Sequence, residues 1–225
     1  MHSGKGHIDE TYIHSDRAAR LLCNPNLIPA PGQYLLAHAA TTPDAPLPHP
    51  IFKAASHAAG FYTAHPLPTT WTPGTLLTLR GPLGHGFTLP PAARHIALVA
   101  FGNTCSRLLA LLEPALAQNA AVTLLTSAPP SGLSPTLEIL PLASLSKLLS
   151  WADYLAIDLP RAALQAVFTQ YPALIHNDYA TEFLVETPLP CGGMADCGAC
   201  AIRTKNTTRL ACRNGPVFPA QAFLK

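Results

Sequence analysis

Hydrophobic positions follow two rhythms along the chain. From about Ile13 to Pro90, short apolar runs such as Gln33–Leu36 and Thr75–Leu79 alternate with turn signals at Pro31-Gly32, Pro73-Gly74, Gly81-Pro82 and Gly84-His85-Gly86. Short strands separated by such turns predict a small antiparallel sheet or barrel. Ala18 to Cys23 fits a helical turn or a strand equally well. Thr41 to Pro50, with four prolines, reads as a loop.

From His95 the rhythm changes. His95–Ala100 and Ala121–Thr126 are continuous apolar runs of strand length, and Leu137–Leu140 and Asp153–Asp158 extend the series. Helical periodicity lies between them: Ser106–Gln118, which Pro114 kinks or divides, then Leu142–Ser150, then Arg161–Thr169 with Pro160 near its first turn. Alternating strand and helix implies a parallel sheet with right-handed crossovers. A third region opens near Thr181, where Glu182–Glu186 alternates like a strand and a cysteine-rich segment follows Pro188 and Pro190. The expected organisation is β-barrel plus α/β: a barrel over residues 13–92, an α/β domain over 93–180 and a cysteine module over 181–225.

Composition narrows the function classes. Hydrophobic residues make up 48% and charged residues 12% of the 225, against roughly a quarter charged in a typical soluble domain. That supplies a core and excludes a disordered chain. Net charge is +2 without a basic cluster, so no nucleic-acid partner is expected. The 24 prolines limit long helices. Met1–Glu10 lacks the apolar core of a signal peptide. The most apolar stretch, Ile96–Ser127, is broken by Arg107, Glu113, Pro114, Gln118 and Asn119, so no membrane span is expected and the chain reads as cytoplasmic.

Four of the six cysteines crowd together as Cys191-Gly-Gly-Met-Ala-Asp-Cys197-Gly-Ala-Cys200, then eleven residues, then Cys212. In a reducing compartment such crowding means metal or redox chemistry. Three thiolates on one glycine-rich loop with a fourth arriving later is the ligand plan of a plant-type [2Fe–2S] centre. Gly192, Gly193 and Gly198 allow the sharp turns that aim backbone N–H groups at sulfur. Structural zinc usually takes two paired knuckles and this chain has one Cys-x-x-Cys; zinc, and cysteines without a metal, are the competing readings.

Cys191 to Phe218, ending Leu210-Ala-Cys212-Arg-Asn-Gly-Pro-Val-Phe218, resembles the cluster domain of the dihydroorotate dehydrogenase electron-transfer subunit, an iron–sulfur flavoprotein of the ferredoxin-reductase superfamily. Pro31-Gly32-Gln33-Tyr34 is similar to that family's barrel strand PGQF, Gly81–Phe87 to its GPLGNGF exit turn, and Trp151–Asp158 to an α/β strand. The resemblance implies a ferredoxin-reductase-like fold, FAD held by His49, Phe52, Lys53, Gly84 and Gly86, possible NAD(H) binding, and a flavin-containing dehydrogenase as partner. It assigns Cys191, Cys197, Cys200 and Cys212 to the cluster.

The departures fall on the flavin and nucleotide segments. Where the family carries an Arg and a hydroxyl residue, this chain reads His49-Pro-Ile-Phe-Lys53-Ala54, and Lys53 lacks the bidentate fork of Arg. The family's second flavin segment has no counterpart between Gly60 and Trp71. After the first α/β strand only Gly102 stands in Phe101-Gly-Asn-Thr-Cys105, where a pyrophosphate loop needs several glycines. Five residues, not four, separate Cys191 from Cys197. Cys105 reads as a buried apolar residue, the ten histidines as surface or loop residues, and Trp71 and Trp151 as packing. No nucleophile–base pair points to hydrolysis.

Two functions follow: an electron-transfer subunit linking a flavin dehydrogenase to NAD through FAD and the cluster, or a non-catalytic iron–sulfur relay or assembly subunit that has lost both nucleotides. In either, replacing any of Cys191, Cys197, Cys200 or Cys212 by Ser is expected to lower iron and acid-labile sulfide per chain sharply. Zinc without sulfide in anaerobically purified protein would sink the cluster assignment.

Overall fold

The barrel starts ahead of the apolar runs. In the computed structural model, which describes residues 2–12, 18–40, 47–129, 133, 137–175 and 180–224, the strands β1 (His2–Thr11), β2 (Ala19–Cys23), β3 (Tyr34–Ala39), β4 (His49–His57), β5 (Gly60–Thr63) and β6 (Leu76–Leu83) close in the order β1-β2-β5-β4-β3-β6. Strand β1 lies before residue 13, and its polarity has a steric cause. Gly4, Gly6 and Ile8 face inward, and a Cβ on Gly6 would stand 2.7 Å from the Leu22 carbonyl oxygen. A narrow barrel accepts glycine there, so the alternation of apolar side chains is missing. Ala19–Cys23 is a strand, and His49 and Pro50 belong to β4 rather than to a loop. Ile13 and Thr41–Pro46, where the expected barrel and loop begin, lie outside the described residues.

The second layer is a six-stranded sheet in the order β14-β11-β10-β7-β8-β9. It contains β7 (His95–Ala100), β8 (Ala121–Thr126), β9 (Glu138–Leu140), β10 (Tyr154–Pro160), β11 (Ala180–Glu186) and β14 (Val217–Pro219). All neighbours pair parallel except β14, which runs antiparallel to β11. A hairpin of β12 (Ala201–Arg203) and β13 (Thr208–Leu210) occupies the segment between β11 and β14. The sheet therefore takes strands from both sides of residue 181.

The helices are short: α1 (Leu112–Ala117), α2 (Leu145–Leu148), α3 (Leu164–Gln170) and α4 (Ala211–Asn214). The expected helix over Ser106–Gln118 is a turn, a 3-10 segment Leu109–Leu111 and then α1. Pro114 sits in the first turn of α1, where its missing N–H has no intrahelical partner. It marks a start, not a kink. No helix of the described residues is long and apolar enough to cross a membrane.

One buried core joins all parts: Tyr34, Leu36 and Leu83 of the barrel, Val99, Ile157 and Phe183 of the sheet, and Cys200, Ile202, Cys212 and Phe218 near the C-terminus. Set against it is a buried ion pair at the carboxyl ends of the sheet strands. Arg107, 4% exposed, donates from Nε and Nη2 to the two oxygens of fully buried Asp158 at 2.8 and 2.9 Å, and from Nη2 to Glu186 at 2.9 Å. Its guanidinium also lies 5.8 Å from the ring centroid of Phe52 in β4. Burial opposes that charge, but Asp158 holds Arg107 protonated above its ordinary value.

Removing one partner strands a buried charge. Arg107→Met is expected to cost about 3–5 kcal/mol in urea unfolding, and the double variant Arg107→Met with Asp158→Leu to recover most of it.

Candidate metal centre

The four clustered cysteines meet in the corner between barrel and sheet. The loop that carries three of them leaves β11 through Pro188 and Pro190 and turns at Gly192, Gly193 and Gly198, with φ of +53°, +84° and +70°. At Gly192 nothing larger fits: a Cβ would stand 2.6 Å from both Arg80 Nη2 and Leu36 Cδ1 and 2.9 Å from Leu83 Cδ1. Arginines tie the loop down. Arg80 donates to the Cys191 carbonyl at 2.8 Å, Arg213 to the Gly193 carbonyl at 3.0 Å, and Arg161 to the carbonyls of Ala199 and Ala201 at 2.9 and 3.0 Å.

The thiols stand two by two. Cys191 and Cys197 Sγ are 3.7 Å apart and Cys200 and Cys212 Sγ are 3.3 Å apart. Cys200 and Cys212 are buried, whereas Cys197 is exposed. The Cys212 amide donates to Cys200 Sγ at 3.5 Å. Among the described residues, no three His, Cys, Asp or Glu side chains close on one point fit for a single metal ion. A donor set of four soft sulfurs fits an iron–sulfur cluster.

Electrostatics divides the thiols. Burial raises Cys191, but hydrogen bonds from the backbone at Ala195 and Gly193 and from the Cys197 and Cys212 thiols outweigh it and hold the group below its ordinary value. Burial, and then Cys200, pushes Cys212 up to about 12. Metal capture at Cys212 therefore releases a proton.

The residues that the resemblance assigns to FAD lie in β4 and in the turn that follows β6. His49 contacts the Pro66 carbonyl at 3.1 Å through Nε2 and packs edge-on against Trp71. Phe52 lies against Tyr34, with ring centroids 5.7 Å apart. Burial lowers Lys53, and Glu113 opposes the shift. Gly84 and Gly86 serve close backbone packing: a Cβ would stand 2.6 Å from the Gly215 oxygen and 2.3 Å from the Pro31 oxygen, respectively. The cavity among His49, Phe52, His65, Arg107 and Glu186 measures about 90 Å³, against about 300–1,000 Å³ for small-molecule sites.

The nucleotide loop is likewise a local turn. Thr104 Oγ1 accepts from the Ser106 amide at 3.1 Å, and Cys105 is buried beside β7. Arg107, bonded to Asp158 and Glu186, stands at the crevice beyond the strand ends, where α/β folds seat ligands. The sequence reading missed Arg107 as a determinant of this region. Its signal was a lone arginine in the most apolar stretch and a lone aspartate in an apolar strand, since such charges are buried only in pairs.

Comparison with known proteins agrees with this geometry. Residues 189–224 match the family model of the iron–sulfur cluster binding domain of dihydroorotate dehydrogenase B. Comparison with curated proteins returns no match. Among solved structures, the NADH-dependent reduced ferredoxin–NADP oxidoreductase studied for flavin-based electron bifurcation is similar with TM-score 0.73 and 14% identity, over 96% of this chain and 88% of that one. The ferredoxin reductase of carbazole 1,9a-dioxygenase is similar with TM-score 0.60 and 14% identity, over 76% and 65%. The flavohem-like FAD/NAD binding domain of nitric oxide dioxygenase from Vibrio cholerae O1 biovar El Tor is similar with TM-score 0.58 and 16% identity, over 82% and 98%. The fold is ferredoxin-reductase-like, and over residues 189–224 the resemblance to the cluster domain of the dihydroorotate dehydrogenase electron-transfer subunit is borne out.

Gly192→Ala tests the loop. Left-handed backbone strain and overpacking against Leu36 and Leu83 are each expected to cost roughly 1–3 kcal/mol, read as lower thermal stability and reduced iron content.

Proposed function

We propose that this chain is a one-electron relay subunit that works through a [2Fe–2S] cluster held by Cys191, Cys197, Cys200 and Cys212, with no flavin or nicotinamide of its own. The observation that carries the reading is the pairing of thiols at 3.7 and 3.3 Å in one corner of the fold, together with the match of residues 189–224 to a cluster-binding domain. The cluster supplies uptake and release of single electrons.

The protein's residues do the rest. Cys200 and Cys212 form the dry side of the site and Cys197 the open side, beside Met194, which is 70% exposed. Electrons therefore enter or leave over the Met194–Cys197 loop. Residues 187–224 carry Arg203, Lys205, Arg209 and Arg213 against Asp196 alone, a balance that steers a partner with an acidic face. The partner class that the domain match supports is a flavin-containing dehydrogenase of the dihydroorotate dehydrogenase type.

The second reading, transfer to NAD through bound FAD, is disfavoured by the 90 Å³ cavity and by Arg107 in the strand-end crevice. Acid extraction of anaerobically purified protein should release iron and sulfide in equal amounts and no FAD. Dithionite should reduce the cluster rapidly, while millimolar NADH leaves it oxidised. Stoichiometric FAD, or saturable reduction at micromolar NADH, would restore the reductase reading.

A further inference from the structure

Tyr34 carries a hydroxyl that the fold does not use. The side chain is fully buried, and its oxygen has no hydrogen-bond partner among the described residues. A buried donor left unpaired is costly, and phenylalanine would fill the same space without that cost.

The surroundings place the side chain beside the cysteine module. Tyr34 and Leu36 share one face of β3, and Leu36 Cδ1 would stand 2.6 Å from a Cβ on Gly192, at the head of the cysteine loop. Tyr34 belongs to the same buried core as Cys200 and Cys212, with Cys191 packed against that core. A phenol is protonated at neutral pH and so is a donor. Among the described residues no acceptor, cysteine Sγ included, reaches the hydroxyl, which leaves a sulfur of the loaded cluster as its partner.

We infer that Tyr34 donates its O–H to a sulfur of the iron–sulfur cluster and so sets the cluster's reduction potential. This rests on the cluster assignment made above. A hydrogen bond to sulfur stabilises the electron-rich reduced form more than the oxidised form, so it raises the potential.

The test is Tyr34→Phe in the full chain, which keeps the ring and removes one oxygen. Iron and sulfide content should stay at the wild-type value, and a redox titration followed by electron paramagnetic resonance should show a lower potential. The expected change is up to about tenfold in the one-electron reduction equilibrium, or about 59 mV. The Fe–S stretching bands of wild-type protein should shift in D₂O by more than those of the variant. A merely structural role would move stability and leave potential and isotope shift alone. An unchanged potential at full occupancy overturns the inference.

Should the variant not retain the cluster, wild-type protein grown with ring-deuterated tyrosine answers instead. A deuterium coupling to the reduced centre supports the contact, and its absence overturns it. Wild-type protein lacking iron and sulfide would instead defeat the cluster assignment, a result separable from either outcome.

Discussion

The bidentate pair of Arg107 and Asp158 is the constraint around which the two halves are arranged. A guanidinium that is 4% exposed needs a carboxylate at hydrogen-bond distance. Meeting that need brings the turn after β7 down over the carboxyl ends of β10 and β11. The same guanidinium reaches Phe52 of the barrel, so the one ion pair touches both layers. The cavity between them is lined by the same residues, His49 and Phe52 on one side and Arg107 and Glu186 on the other.

The barrel also packs against the cysteine loop. Leu36 and Leu83 wall the loop at Gly192, and Arg80 holds the Cys191 carbonyl. The exit turn is bonded to the far end of the cysteine module, with the His85 amide donating to the Gly215 carbonyl at 2.6 Å. The barrel is thus one wall of the candidate metal centre.

Much of this was legible in the sequence, and the parts that were not have physical reasons. Strands β7, β8 and β10 are buried on both faces, so they read as continuous apolar runs. The cysteine spacing needed no structure, because loop geometry and ligand chemistry restrict it so tightly. Strand β1 was hidden because its inward positions are Gly4 and Gly6, which have no side chain to alternate. The short α1 was overestimated because Leu and Ala periodicity continues through a 3-10 segment and Pro114 looks the same at a start as at a kink. Pairing of Arg107 with Asp158 spans 51 residues, and periodicity within a window carries nothing about partners at that distance.

The register of the sheet edge bears on how the metal centre is built. Leu184 of β11 pairs with Val217 of β14, so the segment bearing all four thiols departs from and returns to neighbouring strands. Its ends are pinned by a hydrogen-bonded ladder rather than by metal. Closing that long loop is the entropic cost that a small metal-folded module must recover from its ligand bonds. Here the β11–β14 ladder bears part of that cost, so the loop's ends are held together by the sheet as well as by any metal.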